Sequence, residues 1–223
     1  VDRAKPFKPV LPGIQCHAAY RDRHGTVWIA ASQGLYAWQP GGKWARLYPH
    51  DTRYVYETGE GELYIGTYSN GLLQPDSSSK TFKTICSGDQ LPGIKQITSW
   101  NNELTGISAK GLFIINPGRT TVNYPLLQGE SRMPMFRHSN HQYTSLLQDS
   151  DRCLWMATYD GLNMWDESRN QLYQLHTEDG LVNNSIKAIL EDKDHSIWVT
   201  TSRGISHIFK NRSDSGYRFR IVN

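Results

Sequence analysis

Cysteine is scarce in this sequence, and the cysteines present lack the spacing of a structural site. The chain of 223 residues has three, Cys16, Cys86 and Cys153. A disulfide framework needs an even set, and no Cys-x-x-Cys or His-x-x-x-His spacing occurs to suggest zinc. We therefore expect three reduced, partly buried thiols, no metal and no cofactor.

Long hydrophobic runs and a strong charge of either sign are also missing. No apolar stretch approaches the roughly 20 residues of a membrane helix, and no signal peptide is visible. These features predict a cytosolic chain or a mature exported fragment. The net charge is +3, with acidic and basic residues interspersed. Without a basic stripe, nucleic acid is not expected as a partner of this segment.

The motifs of common catalytic sites are absent as well. The sequence has no nucleophile elbow, no Gly-rich phosphate loop and no zinc signature. We expect no catalytic residue and no enzyme activity in this segment. Asp160 with a second carboxylate would suit a glycosidase, but that chemistry depends on the separation of the pair, which a sequence does not give.

What the chain does contain is an internal repeat. The eight residues from Trp198 to Ile205 align without a gap on Trp155–Leu162 and on Trp28–Leu35. Tyr64–Leu72 is the same pattern with one residue inserted, and Leu104–Leu112 is a weaker copy. Before each aromatic residue lies a polar hairpin, and before that an alternating apolar and polar run typical of a half-buried strand.

The repeat length predicts a β-propeller. The repeated glycines are 37, 40, 50 and 43 residues apart, at Gly34, Gly71, Gly111, Gly161 and Gly204. A third and a fourth strand are expected after each glycine, and four strands in about forty residues are typical of a propeller blade. No helical periodicity separates the strands. We expect an all-β fold of about five four-stranded antiparallel blades.

The repeat also sets the expected domain boundaries. Residues 1–13 are predicted to hold the outer strand of a preceding blade, near Phe7–Val10, and a link. The blades are expected over about 14–50, 52–88, 93–127, 143–176 and 185–223. The last blade has a fourth strand of its own near Tyr217–Ile221. We therefore favour an excerpt of a larger propeller over a closed ring of five.

These residues resemble a known family, the regulator-propeller repeat. Its pattern is Gly-Leu-x-x-Asn-x-Ile-x-x-Ile-x-Glu-Asp-x-x-Gly-x-Leu-Trp-Ile-Gly-Thr-x-x-Gly-Leu. The segment EDGLVNNSIKAILEDKDHSIWVTTSRGIS is very similar, and TSLLQDSDRCLWMATYDGLNMWD and YRDRHGTVWIAASQGLYAW are nearly as close. The hairpin glycine is replaced by Arg152 in blade four and His195 in blade five, which affects only the local turn.

The resemblance implies a function. Such repeats form the periplasmic sensor region of hybrid two-component sensor histidine kinases, where propellers precede an immunoglobulin-like domain, one membrane helix, a kinase and often a response regulator. It implies a periplasmic location, an oligosaccharide ligand released from glycans, a homodimeric receptor, and contact with the rest of the same receptor chain. Two alternatives stay open: a propeller lyase or glycosidase acting on polysaccharide, and a protein-interaction scaffold.

Residues that recur in every repeat are expected to be structural. Trp28, Trp155 and Trp198 share one slot with Tyr64, and we expect them to pack between strands. Asp22, Asp149 and Asp192 recur in the hairpins, where Asp commonly accepts hydrogen bonds from nearby backbone. Function is expected where the repeats differ.

The candidate binding residues lie in the turns before the repeated glycines and in the links between blades, which we expect at one end of the propeller. Aromatic faces and planar polar groups suit sugar recognition. The candidates are Tyr68, Asn70, Lys110, His141, Tyr159, Asp160, Asn184 and Arg203.

Overall fold

The computed structural model describes residues 11–76, 81–116, 121–124 and 142–223. These residues form twenty strands in five four-stranded antiparallel sheets, and in each sheet the strands follow one another in chain order. The predicted all-β fold of four-stranded blades is confirmed. Two short 3₁₀ turns, Glu167–Arg169 and Thr177–Asp179, occur in the described segments, and no described helix has the length and apolarity to cross a membrane.

Blades one to three occupy the first half of the chain. Blade one consists of β1 (Cys16–Arg21), β2 (Val27–Ala31), β3 (Gly34–Trp38) and β4 (Ala45–Tyr48). Blade two consists of β5 (Thr52–Glu57), β6 (Leu63–Thr67), β7 (Leu72–Asp76) and β8 (Thr81–Cys86). Blade three consists of β9 (Gln96–Trp100), β10 (Glu103–Ser108), β11 (Gly111–Ile115) and β12 (Val122–Asn123).

Blades four and five follow. Blade four consists of β13 (Tyr143–Gln148), β14 (Leu154–Thr158), β15 (Gly161–Asp166) and β16 (Gln171–Leu175). Blade five consists of β17 (Ile186–Glu191), β18 (Ile197–Thr201), β19 (Ile205–Ser213) and β20 (Gly216–Val222). The outer strand predicted near Phe7–Val10 lies outside the described residues.

The hydrophobic core lies between adjacent blades. The inner strands pack in sequence, β1 on β5, β5 on β9, β9 on β13 and β13 on β17. At the junction of blades four and five, fully buried Trp155 and Met164 share one hydrophobic cluster with Ile186 and Val199. Removal of these apolar faces from water is the main force that stacks the blades.

In blades one, four and five, the repeated tryptophan is hydrogen-bonded to the aspartate of its own hairpin. The indole Nε1 donates to the carboxylate six residues earlier: Trp28 to Asp22 at 2.8 Å, Trp155 to Asp149 at 2.7 Å, and Trp198 to Asp192 at 3.3 Å. Asp149 also accepts from the backbone N–H of Cys153. The structural role predicted for both repeated residues is confirmed.

The glutamate before the hairpin connects neighbouring blades instead. Glu57, at the end of β5, accepts hydrogen bonds from the backbone N–H and from Nε of Arg23 in the hairpin of blade one. Glu191, at the end of β17, accepts from the backbone N–H and the hydroxyl of Ser150 in the hairpin of blade four. The same repeat position therefore reaches back to the preceding blade in both cases.

A buried ion pair reinforces the junction of blades four and five. The Lys210 ammonium of β19 lies 2.6 Å from Asp149 Oδ2 and 2.8 Å from Asp151 Oδ2, and its side chain is 3% exposed. Burial disfavours the charged form of Lys210, but the two hydrogen-bonded carboxylates outweigh it and raise the pKa of Lys210. The charge is thus kept inside the interface by its partners.

In the hairpins of blades four and five, a residue other than glycine adopts the left-handed conformation at the place of the family glycine. Arg152 has φ 65° and His195 has φ 64°, close to the 84° of Gly25 at the equivalent place in blade one. The turn geometry is therefore preserved where the family glycine is lost, with the steric strain that a side chain brings there.

The face of blade five that points away from blade four is partly apolar and exposed. Leu190 is 64% exposed and Val222 is 45% exposed. Leu190, Trp198, His207 and Val222 form one row across the four strands of blade five. The rings of Trp198 and His207, in the middle of this row, stack with centroids 3.8 Å apart. The matching row of blade four includes Trp155 and Met164, which are fully buried.

Candidate functional site

The turns before the repeated glycines and the links between blades lie at the same end of the structure, as predicted. In blade two, the carbonyl of Tyr68 accepts a hydrogen bond from the backbone N–H of Gly93 in the next link, at 2.8 Å. In blade four, the backbone N–H of Gly161 donates to the carbonyl of Asn184 in the following link, at 2.8 Å. This end carries the variable residues of the repeat.

A β-bulge sits at this end of four inner strands. The register of pairing shifts at the second residue of β1, β5, β13 and β17, which places His17, Arg53, Thr144 and Lys187 at the bulge. In blade three, Lys95 immediately precedes β9 at the equivalent position. A bulged residue is unpaired in the ladder and its side chain is re-aimed. Four of these five equivalent side chains are basic.

The basic residues of blades one to three line one cavity. Its volume is about 570 Å³, and its lining includes His17, Arg53, Lys95 and the ring of Tyr68, with Ile94 supplying an apolar wall. The cavity thus brings together the equivalent positions of three consecutive blades and one aromatic residue from a variable turn. A few charged groups beside apolar surface are typical of a small-molecule site.

The charges in this cavity are only partly compensated. Arg53 Nη2 donates to Asp51 Oδ2 at 2.8 Å, and its guanidinium carbon lies 4.7 Å from the centroid of the Tyr68 ring. Asp51 Oδ1 and Arg53 Nε are inaccessible to solvent and have no hydrogen-bond partner within the described residues. Leaving such groups unpaired costs about 1–3 kcal/mol each.

His17 and Lys95 are the other two ionisable side chains that line the cavity. His17 Nε2 is hydrogen-bonded to Ser32 Oγ at 2.8 Å and lies 3.7 Å from Asp51 Oδ1. Burial, followed by the nearby Arg53, lowers the pKa of His17, and Asp51 only partly opposes this. Lys95 is exposed, and its ammonium makes no hydrogen bond or ion pair with any described residue. At neutral pH the cavity therefore carries a net positive charge.

Of the predicted binding residues, Tyr68 alone is among the described residues that line this cavity. It is 56% exposed. Asn70 lies in the same turn, where its backbone N–H donates to Thr67 Oγ1. Lys110 reaches over the neighbouring surface to the carbonyl of Asp89 at 2.7 Å. His141 lies outside the described residues.

The remaining candidates belong to blades four and five. Tyr159 is 52% exposed and lies beneath the ammonium of Lys187, 4.6 Å from its ring centroid. Asn184 shapes its link by accepting from the backbone N–H of Thr177. Asp160 lies in a turn where its backbone N–H donates to the hydroxyl of Thr158. Arg203 lies in the equivalent turn of blade five, where its backbone N–H donates to the hydroxyl of Thr201. No hydrogen bond or ring contact joins any two side chains among the seven described candidates.

A second cleft lies between the outer strands of blades four and five. Its volume is about 480 Å³, and Tyr173, Tyr217 and Phe219 line it. Its polar groups serve the fold, since the Tyr173 hydroxyl donates to Gln171 and accepts from the backbone N–H of Tyr217. Within the described residues there is no group of three or more His, Cys, Asp or Glu that could hold a metal ion.

Comparison with protein-family models identifies the repeats. Residues 138–160 and 180–203 match the two-component regulator propeller. These segments include the hairpins of blades four and five and the tryptophan that follows each, and they end one residue before Gly161 and Gly204. The predicted resemblance is thereby confirmed for these two segments. No curated protein matches the sequence.

Solved structures share the fold. The extracellular domain of a protein described as a putative hybrid two-component system of Bacteroides thetaiotaomicron superposes with a TM-score of 0.72 at 18% identity, covering 96% of this chain and 29% of that one. Another extracellular domain from the same organism, described as a putative one-component system, gives 0.70 at 21% identity, covering 89% and 28%. Virginiamycin B lyase from Staphylococcus aureus gives 0.65 at 15% identity, covering 93% and 69%. The chain therefore spans under a third of the length of the two Bacteroides thetaiotaomicron domains.

Proposed function

We propose that this propeller is the ligand-sensing part of an extracytoplasmic two-component receptor, that it responds to an oligosaccharide, and that it acts as a binding module without catalytic activity. The observation that carries the proposal is the cavity of blades one to three. It lies at the end of the blades that carries the variable turns, and it combines the exposed ring of Tyr68 with the cationic side chains of Arg53 and Lys95. The matched family and the extracellular relatives support a sensor role in the periplasm.

The exposed face of blade five supports a larger assembly. Leu190 and Val222 leave apolar surface in water. The equivalent residues of blade four, Leu147 and Tyr173, are partly buried in the cluster shared with blade five. Burial of such surface stabilises by about 25 cal/mol per Å². We infer that a further blade of the same receptor covers this face, and that the kinase, the membrane anchor and the dimer contact belong to other parts of that receptor.

Ligand binding is tested by thermal unfolding of the full-length protein against a panel of neutral and acidic oligosaccharides. A ligand that binds the folded protein at about 100 times its Kd adds about 2.7 kcal/mol to the free energy of unfolding. At least one oligosaccharide is expected to raise the melting temperature. Tyr68→Ala is expected to abolish this shift.

Tyr159→Ala is the matched control. Tyr159 has nearly the same exposure and also has a cation stacked on its ring, but it lies outside the cavity. Its replacement is expected to leave the shift intact. If no saccharide in the panel stabilises the protein, the proposal is wrong.

The enzyme alternative rests on the lyase that shares the fold. A glycosidase in this cavity would need two carboxylates flanking the bond that breaks, whereas Asp51 is the one carboxylate that the described contacts place beside it. Turnover of any panel oligosaccharide during prolonged incubation would favour the enzyme over the sensor.

A further inference from the structure

The equivalent position of the inner strands carries a basic side chain in four of five blades: His17, Arg53, Lys95 and Lys187. Arg53 and Lys187 rest on exposed tyrosines and Lys95 reaches into solvent. Three of the four line one cavity, where Asp51 balances only one of the charges of Arg53 and Lys95, so a further negative group is favoured there.

We propose that the cavity of blades one to three recognises an acidic oligosaccharide, one that carries a carboxylate or a sulfate ester, through Arg53 and Lys95. This inference rests on the proposed function and specifies its ligand class. Among the described residues, Asp51 is the one acidic side chain in contact with the basic residues there, and it is engaged by Arg53. An anionic group between the guanidinium and the ammonium would balance the remaining charge and accept charge-assisted hydrogen bonds.

The Tyr68 ring supplies the complementary contact. One face of the ring is covered by the Arg53 guanidinium, and the side chain is 56% exposed. The free part of the ring is available to the C–H face of a sugar whose acidic substituent reaches the bases. The cavity volume of about 570 Å³ accommodates one or two sugar rings at a site of ordinary size.

His17 adds a dependence on pH. The groups facing it are Asp51, Arg53 and Lys95 of the adjoining strands and links, together with the Ser32 hydroxyl. Because the pKa of His17 is lowered by burial and by Arg53, the imidazole is neutral at pH 7. Acidification through this lowered pKa protonates the imidazole and adds a positive charge, so an anion is expected to bind more tightly in acid than at neutral pH.

The test is calorimetric titration of the full-length protein with three probes: a galacturonate tetrasaccharide, its methyl ester, and a sulfated tetrasaccharide. The acidic probes are expected to bind at least tenfold more tightly than the uncharged ester, and the two acids together show whether carboxylate or sulfate is preferred. Lys95→Gln and Arg53→Gln are each expected to weaken acidic binding at least tenfold and to weaken ester binding by a smaller factor, so that the preference for the acids over the ester falls.

Lys187→Gln is the matched control, since it removes a bulge-position cation that does not line the cavity. Equal affinity for the acids and the ester would overturn the acidic-ligand inference while leaving the sensor proposal intact. The inference fails in the same way if the acids bind but Lys95→Gln and Arg53→Gln have no effect. Binding of none of the probes, nor of any neutral oligosaccharide, would overturn the proposed function itself. If an unsaturated uronate product appears, the protein is a lyase that cleaves the probe by elimination, and the proposed binding role is wrong.

Discussion

The indole of Trp155 donates a 2.7 Å hydrogen bond to the same Asp149 oxygen that receives the ammonium of Lys210 at 2.6 Å. The first partner comes from the blade that contains Asp149, and the second comes from the next blade. One carboxylate therefore fixes a hairpin and locks two blades together. In blade five, Asp192 lies at the surface and accepts a 3.3 Å hydrogen bond from the Trp198 indole. No described residue of another blade donates a hydrogen bond to Asp192.

This difference predicts unequal effects of the same substitution. Asp149→Ala leaves a buried ammonium and a buried indole N–H with fewer partners, so it is expected to lower the free energy of unfolding by about 3–5 kcal/mol. Asp192→Ala is the matched control and is expected to cost about 1 kcal/mol. Urea denaturation measures both. Similar losses for the two variants would show that the bond to Lys210 does not stabilise the interface.

The Asp166 carboxylate predicts a loss of stability in acid. Burial opposes its ionisation, but hydrogen bonds from Ser168 and Arg169 outweigh this and hold the pKa of Asp166 below its usual range. Its folded pKa is lower than its unfolded pKa of about 4. The charged form therefore stabilises the fold above that value, and the contribution is lost as pH falls through the folded pKa.

Denaturation at several pH values measures this effect. Asp166→Asn is expected to be less stable than the natural chain at pH 7 and to lose less stability between about pH 5 and about pH 2.5. Parallel stability curves for the two proteins would contradict the assignment.

Arg152 offers a stabilising substitution. It occupies a left-handed turn with φ 65°, where a residue with a side chain is strained by about 1 kcal/mol relative to glycine. Arg152→Gly is expected to raise the free energy of unfolding by about that amount, seen as a higher melting temperature. A melting temperature that falls instead would mean that the Arg152 side chain stabilises the hairpin through contacts.

Gly71 tests the packing of the repeated glycine. A methyl group there would come within 2.1 Å of the Cys86 carbonyl oxygen, at φ 78°. Gly41 has nearly the same φ, 80°, with nothing within 4 Å. Gly71→Ala is therefore expected to destabilise the chain by more than about 3 kcal/mol, and Gly41→Ala by about 1 kcal/mol. Equal losses of stability in the two variants would show that glycine is needed at position 71 for its backbone conformation alone and not for close packing.

The fold is predictable from the sequence because its determinants are local and recur. The aromatic residue, the hairpin aspartate and the closing glycine appear with nearly constant spacing, so Trp155, Asp149 and Gly161 specify one blade without reference to the others. The tertiary role of Lys210 is not predictable in this way, because its partners lie about sixty positions earlier, in a different blade.

The candidate site is predictable less completely. Tyr68 can be picked out from the sequence because its turn differs from those of the other repeats. The basic residues of the cavity cannot be picked out in this way. His17, Arg53 and Lys95 lie in or beside inner strands that look structural, and in blades one and two a β-bulge falls at this position. These residues share one repeat position, about five residues before the hairpin of each blade. The sequence reveals this shared position only when the blades are aligned on their inner strands.

Hydrogen–deuterium exchange of the full-length protein, with and without the oligosaccharide that stabilises it, tests the central claim most directly. The account predicts slower exchange on binding in residues 15–18, 51–54, 66–70 and 92–96, which surround the cavity, and unchanged exchange in 158–161 and 184–188. Protection confined to blades four and five, with none around Arg53 and Lys95, would contradict it.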